Sequence, residues 1–168
     1  LPMACTDWIF FIEEGNRNNA ITTLTTPGNE WLRVEARMNS VIAPCNNSPD
    51  FTTLPVPYIC LNQPYVYNHG AIDPDGDSLV YSLVNALSLN GASVLYSVGF
   101  SGASPMTSVP PVAVNSANGN MTITPTAIQV AVVAVRVDEY RNGVLIGSVV
   151  RDIQVTVLNC SNVSPTIN

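Results

Sequence analysis

The chain has 168 residues and carries twelve carboxylates against six cations, all of them arginine, for a formal net charge of −6. This length suits one sizeable hydrophobic core and is short for two full domains. An acidic chain without a basic cluster is not expected to bind nucleic acid, and no apolar run approaches the length of a membrane span. The chain begins LPMACTDW without a charged leader, so we expect a processed or excised piece of a longer protein.

Short apolar segments rich in Val, Ile, Tyr and Thr follow one another along the chain and are bounded by Gly, Pro, Asn or Asp, which is typical of β-strands. In chain order they are DWIFFIEE, EWLRVEARM, QPYVYNHGAI, SLVYSLV, ASVLYSVGF, NMTITPT, IQVAVVAVRVDEY and GVLIGSVVRDIQVTVLN. Only SLVNALSLN and TAIQVAVVA offer a short helix as an alternative, and neither has convincing caps. Asn142 and Gly143 stand between two apolar runs, which predicts a tight hairpin turn. The sequence predicts an all-β fold, a β-sandwich of Greek-key type.

An internal repeat divides the chain. PCNNSP at 44–49 is similar to NCSNVSP at 159–165, and FFIEEGNRNNAITTL before the first is similar to VRVDEYRNGVLIGSV before the second. The repeat predicts that residues 1–45 are the C-terminal hairpin of a preceding module, that residues 46–160 are a complete module, and that residues 161–168 are a linker to the next one. The alternative is that residues 1–45 complete a single larger sandwich.

Two long stretches resemble a known family: NNSPDFTTLPVPYICLNQPYVYNHGAIDPDGDSLVYSL and VRVDEYRNGVLIGSVVRDIQVTVLNCSN. They look like the repeated modules of giant cell-surface adhesins of gliding Bacteroidetes, the SprB-like gliding adhesins exported by type IX secretion. The resemblance implies immunoglobulin-like or cadherin-like sandwich modules in tandem, an extracellular location at the cell surface, and a role in attachment or gliding. The partners it implies are neighbouring modules of the same chain, surface polysaccharide, and like chains in a filament.

Three aspartates stand close together in the segment AIDPDGDSLVYSL: Asp73, Asp75 and Asp77. Like charges at this spacing repel one another, so their charge must be offset. Alternating carboxylates in a turn with a central glycine can converge on a hard cation, and calcium accepts roughly six to eight oxygen ligands in irregular geometry. The loop is not an EF-hand, because Val84 stands at the twelfth position, where that motif has a bidentate Glu. The remaining oxygen ligands must come from elsewhere.

The predicted strands bring further oxygen donors to this loop. We lay out the predicted strands over 51–59, 65–72 and 130–137 in alternate directions. This layout places the loop at one end of the sandwich, its N-terminal pole, together with the acidic pair that follows the third strand. The linker between the two predicted modules reaches this pole as well, with Asn46, Asn47 and Asp50. The sequence therefore predicts a calcium ion that stiffens the joint between modules; a solvated Asp-Gly turn without metal is the alternative. The predicted ligands are Asp73, Asp75, Asp77, Asp138 and Glu139.

The four cysteines are Cys5, Cys45, Cys60 and Cys160, with no CxxC spacing and a single histidine in the chain. Two disulfides in an exported protein are favoured over a structural zinc site or four buried thiols. The strand layout predicts a Cys60–Cys160 bond, at the ends of a parallel strand pair, and a Cys5–Cys45 bond across the first hairpin. The rival arrangement is a Cys45–Cys60 bond, which leaves Cys5 to pair with Cys160.

No catalytic constellation is recognisable. His69 is the only histidine, no GxSxG motif is present, and we expect His69 to be a hydrogen-bonded structural residue. The acidic pairs Glu13–Glu14 and Asp138–Glu139 are neighbours in predicted strands and therefore point to opposite faces, which is poor geometry for glycoside hydrolysis. The expected function is structural and not enzymatic.

A carbohydrate-binding module is the alternative function. Its signature would be two or three exposed aromatic side chains on one face, whereas their strand contexts favour core packing for most of the candidates. The candidate aromatics are Trp8, Trp31, Tyr58, Tyr65 and Tyr67.

Overall fold

The computed structural model describes residues 3–55 and 58–160 of the chain. These residues form strands and two short 3₁₀ turns, Pro27–Asn29 and Leu89–Gly91, which confirms the all-β prediction. The strands are β1 (Trp8–Glu14), β2 (Leu32–Met38), β3 (Asp50–Phe51), β4 (Tyr58–Cys60), β5 (Tyr65–Asn68), β6 (Ala71–Ile72), β7 (Ser78–Val84), β8 (Ala113–Val114), β9 (Asn120–Ile123), β10 (Val130–Arg141) and β11 (Val144–Leu158).

Three predicted strands are interrupted. The strand expected over 51–59 is divided into β3 and β4, because prolines lie between them and cannot donate to a ladder. The strand expected over 65–72 is divided into β5 and β6 at Gly70, which adopts a φ of 62°. The segment ASVLYSVGF contributes only isolated bridges, such as that between Leu24 and Tyr96.

The main sheet is built around a long antiparallel hairpin of β10 and β11. Its turn is Asn142–Gly143, with φ values of 53° and 78°, as the sequence predicts. Strand β7 pairs with the other side of β10. Strands β2 and β4 both pair with β11, β2 antiparallel near its start and β4 parallel near its end. The order is therefore β1-β2-β11-β10-β7, with β4 beside β11.

A second layer, the three-stranded sheet β5-β9-β8, packs against the main sheet. Tyr67 and Met121 of this layer meet Val133, Val135 and Val155 of the main sheet in one apolar core. Alternate residues of β10 supply this core, because a strand directs successive side chains to opposite faces. Two sheets around one core are consistent with the predicted β-sandwich, while the immunoglobulin-like or cadherin-like Greek-key class and the tandem arrangement stay predictions.

The outer face of β10 is also covered along its first half. Ile21, Leu24 and Val94, from the loops that follow β1 and β7, pack against Val132 and Ala134 in a second apolar cluster. Burial on both faces explains why this part of the strand reads as a continuous apolar run instead of an alternating one.

The N-terminal hairpin of β1 and β2 extends the main sheet. Strand β2 pairs with residues 147–149 of β11, and a buried ion pair joins Arg17, in the hairpin's loop, to Asp152 of β11 at 2.7 Å. Residues 1–45 thus contribute strands to the sheet that residues 46–160 form, as the alternative of a single larger sandwich requires. Their assignment to a preceding module of an array stays a prediction, and the predicted linker 161–168 lies outside the described residues.

One predicted disulfide is present and the other is not. Cys60 and Cys160 are bonded at the ends of the parallel pair β4–β11, as the strand layout predicts. The Cys5–Cys45 prediction is wrong, because both thiols are free. Cys5 instead bonds Ser40: its carbonyl oxygen accepts from the backbone N–H of Ser40 at 2.9 Å, and its own N–H donates to the Ser40 hydroxyl at 3.0 Å. A turn then carries Cys45 to an exposed position.

Among the described residues, no helix has the length and apolar character needed to cross a membrane.

Candidate metal site

The acidic loop follows β6 as a tight turn. The Oδ1 atom of Asp73 accepts hydrogen bonds from the backbone N–H groups of Asp75 and Asp77, both at 2.9 Å. Gly76 supplies the positive φ of 81° that the turn requires. The loop is therefore held by its own first carboxylate, which leaves the second oxygen of Asp73 directed away from these bonds.

Arg141 offsets much of the loop's negative charge. Its Nε atom donates to both oxygens of Asp77, at 2.9 and 3.1 Å, and its Nη2 atom donates to Asp75 at 3.3 Å and to Asn46 at 2.8 Å. These bonds lower the pKa of Asp77. Arg141, at the end of β10, thus offsets part of the negative charge for which the sequence predicted a calcium ion.

Glu139 is buried beside the loop. It lies on the same face of β10 as Val135 and Val137, which is the face that packs against the second layer, and its side chain is 1% exposed. The chain has a bulge directly after it. Gly147 is opposite, and a Cβ atom there would lie 2.8 Å from a Glu139 oxygen, so glycine makes room for this carboxylate. Burial raises the pKa of Glu139 to about 7, and the nearby charge of Asp73 adds to the increase.

Two buried carboxylate oxygens in this group accept no hydrogen bond from the described part of the chain: Oδ2 of Asp73 and Oε1 of Glu139. Asp73, Asp77 and Glu139 each offer one oxygen, and the three oxygens lie within 4.8 Å of one another. An unpaired buried carboxylate is costly, and a bound cation is one way to offset the cost. The all-oxygen donor set and its irregular arrangement suit a hard cation such as calcium.

Two of the predicted ligands lie elsewhere. Asp75 accepts hydrogen bonds from the backbone and the side chain of Asn47, at 2.8 and 3.0 Å, and these bonds lower its pKa. Asp138 is on the opposite face of β10 from Glu139 and pairs with Arg136 at 2.9 Å. The expected participation of Asp138 is therefore wrong for a geometric reason: neighbours in a strand cannot direct their side chains to the same site.

The segment that contains Asn46 and Asn47 reaches the end of the sandwich where the acidic loop lies, as predicted. Asn46 bonds Arg141 and Asn47 bonds Asp75, so the segment that precedes β3 is attached to the acidic loop. Asp50 is exposed at the start of β3. Arg141 is not among the residues predicted for this site from the sequence; the available signal was a cation two residues after Glu139, at the same end of the sandwich.

His69 is fully buried and packs edge-on against the ring of Tyr67, with ring centroids 4.8 Å apart. Neither ring nitrogen has a hydrogen-bond partner among the described residues, so the hydrogen bonds expected for this side chain are not found there. Burial lowers the pKa of His69 to about 4, and the positive charge of Arg151 adds to the decrease.

The candidate aromatics do not form one exposed row. Tyr67 is buried in the core and Tyr65 packs against the core from its edge, whereas Tyr58 is 62% exposed. Trp8 and Trp31 are partly buried. The pattern expected of a carbohydrate-binding face is therefore not present in these five side chains.

Comparison with known proteins found no matching family model, no similar curated protein and no similar solved structure.

Proposed function

We propose that the chain is an extracellular structural module of a cell-surface adhesin or filament, in which calcium stiffens the joint formed by the linker and the acidic loop. One observation carries the proposal: Glu139 is buried, its Oε1 atom has no partner among the described residues, and it faces Asp73 and Asp77. Calcium bound there would offset the charge of these three carboxylates and hold the end of β10 to the loop after β6.

The position of the site supports a mechanical role. Asn47 and Asp75 connect the linker to the loop, and Arg141 connects both to the β10–β11 hairpin. A cation that fixes this loop would hold the segment between β2 and β3 to the end of the β10–β11 hairpin. In this proposal the partners are neighbouring modules of the same long chain.

The proposed location is extracellular, at the cell surface. A disulfide such as Cys60–Cys160 forms and persists in oxidising compartments. Type IX secretion and a role in attachment or gliding come from the resemblance of the two long stretches to gliding-adhesin modules.

The experiment is thermal unfolding in excess calcium and in excess chelator. A ligand that binds only the folded state at about 100 times its dissociation constant adds about 2.7 kcal/mol, which corresponds to a rise in Tm of about 5–10 °C for a chain of this size. We expect Glu139→Gln to remove this rise, since it removes the buried anionic ligand.

Glu14→Gln is the matched control, because it makes the same chemical change at an exposed position of β1. We expect this variant to keep the full calcium response. An unchanged Tm of the natural sequence between calcium and chelator, with calcium in the millimolar range, would refute the calcium site.

A further inference from the structure

Asp77 belongs both to the candidate metal site and to an ion pair with an arginine. It is one of the three carboxylates whose oxygens lie within 4.8 Å of one another. Both of its oxygens also accept hydrogen bonds from Nε of Arg141, at 2.9 and 3.1 Å. The side chain of Asp77 is 6% exposed, whereas that of Arg141 is 34% exposed. The arginine thus reaches this buried carboxylate from a more exposed position.

Arg141 leaves the other two carboxylates of the candidate site without a cation. Oδ2 of Asp73 and Oε1 of Glu139 accept no hydrogen bond from the described residues, while the remaining bonds of Arg141 go to Asp75 and to the segment before β3. A cation on these two free oxygens would have to share its third carboxylate, Asp77, with the arginine. Asp77 would then lie between two positive charges.

The acidic loop is also held by bonds that do not involve Arg141. Oδ1 of Asp73 accepts from the N–H groups of Asp75 and Asp77, both at 2.9 Å. Asn47 donates to Asp75 from its backbone and its side chain, at 2.8 and 3.0 Å. Removal of the guanidinium therefore eliminates a positive charge beside the site and leaves these four bonds in place.

We propose that Arg141 competes with calcium for Asp77 and thereby weakens calcium binding at this site. The inference rests on the calcium site proposed above and adds the residue that sets its affinity. A unit positive charge within a few ångströms repels a divalent cation, and in a partly exposed site this repulsion lowers the affinity by about tenfold. In the calcium-free protein the same charge stabilises the loop, because it offsets the repulsion among the aspartates. Arg141 thus has opposite effects on the stability of the calcium-free protein and on its affinity for calcium.

Two measurements on the whole chain test these effects: the Tm in excess chelator, and the calcium dissociation constant from isothermal titration calorimetry. We expect Arg141→Gln to lower the Tm in chelator and to lower the dissociation constant about tenfold, because one unit of repelling charge is lost. A residue that only supports the fold would leave the dissociation constant unchanged or raise it. Arg141→Lys keeps the charge without the planar fork, so its dissociation constant should stay within about threefold of that of the natural sequence.

Arg136→Gln is the matched control. Arg136 is on the same strand, its side chain is 46% exposed, and it pairs with Asp138 on the opposite face from Glu139. It is about 17 Å from Arg141 along the strand, beyond the screening length of about 8–10 Å in physiological salt. Its loss should therefore change the calcium dissociation constant by less than about twofold.

The possible failures are distinguishable. If neither the natural sequence nor Arg141→Gln binds calcium, the calcium site is refuted and the competition with it. If the natural sequence binds calcium and Arg141→Gln binds it equally or more weakly, the competition is wrong while the calcium site stands. The competition is also wrong if Arg136→Gln strengthens binding as much as Arg141→Gln does, because that result indicates a general effect of net charge. An unchanged Tm of Arg141→Gln in chelator would contradict the stabilising role of Arg141 in the calcium-free protein.

Discussion

His69 shows how a single buried side chain makes stability depend on pH. Its ring is enclosed by Tyr67 and Phe51, and the guanidinium of Arg151 donates to the backbone carbonyl of His69 at 3.2 Å. Burial and the cation both oppose protonation in the folded state, so the pKa of His69 is about 4, while an unfolded histidine has a pKa near 6.5.

We expect this difference to destabilise the protein as pH falls from about 6.5 to about 4. In this window the unfolded chain binds a proton and the folded chain does not, so the free energy of unfolding decreases with decreasing pH, by about 3 kcal/mol in total. Below pH 4 both states are protonated and His69 contributes no further loss. Urea unfolding from pH 4 to 8, with His69→Gln as comparison, measures the effect.

The variant is needed because other groups titrate nearby. The raised pKa of Glu139 makes the free energy of unfolding decrease as pH rises from the ordinary pKa of a glutamate to about 7, which is opposite in sign to the effect of His69. Subtracting the pH profile of His69→Gln from that of the natural sequence gives the contribution of His69 to the free energy of unfolding. If the profiles of the natural sequence and His69→Gln are parallel from pH 4 to 6.5, the proposed origin of the slope is incorrect.

At the level of elements, strand β4 depends on a covalent bond as well as on pairing. It has three residues and pairs in parallel with the end of β11, and the Cys60–Cys160 bond closes a loop with a sequence separation of 100. Such a loop constrains the unfolded chain strongly in the chain-entropy model of disulfide stabilisation.

We expect Cys60→Ala with Cys160→Ala to lower the free energy of unfolding by about 4–5 kcal/mol, as that model predicts for a loop of this length. Denaturant unfolding measures the change. Cys45→Ala is the control, because Cys45 is exposed and unbonded; its effect should stay within about 0.5 kcal/mol. A double variant as stable as the natural sequence would show that the bond contributes nothing to β4.

At the level of the whole molecule, the N-terminal hairpin and the rest of the chain are connected by a buried ion pair. Arg17 bonds both oxygens of Asp152, at 3.1 and 2.7 Å, and also donates to the carbonyls of Trp31 and Leu87. The two side chains are 4% and 3% exposed. Three segments of the chain therefore meet at one guanidinium.

We expect Arg17→Gln to lower the free energy of unfolding of the entire protein by about 3–5 kcal/mol, because it leaves the Asp152 charge buried and unpaired. Unfolding should remain a single transition when it is followed both by tryptophan fluorescence, which reports on Trp8 and Trp31, and by far-UV circular dichroism. An early fluorescence transition that leaves most of the sheet intact would instead indicate that residues 1–45 fold as a separate unit.

The class of the fold and several local features could be predicted from the amino-acid sequence alone. Short β-branched segments between turn residues predict strands because the pleated backbone favours these side chains. Asn142–Gly143 predicts its hairpin because both residues accept positive φ. The Cys60–Cys160 bond followed from the order and direction of two strands. These features depend on local chemistry or on strand alternation, both of which can be recognised in one sequence.

Which carboxylates meet depends on how β10 packs against the loop after β6. Asp73 and Asp77 come together with Glu139, for whose side chain the glycine at position 147 leaves space. Asp138 is excluded by strand alternation, which the sequence could have shown.

Only the structure shows that Arg141 offsets the charge of the loop. This depends on contacts between residues distant in the sequence. One sequence records which side chains are available, but packing determines which of them become neighbours.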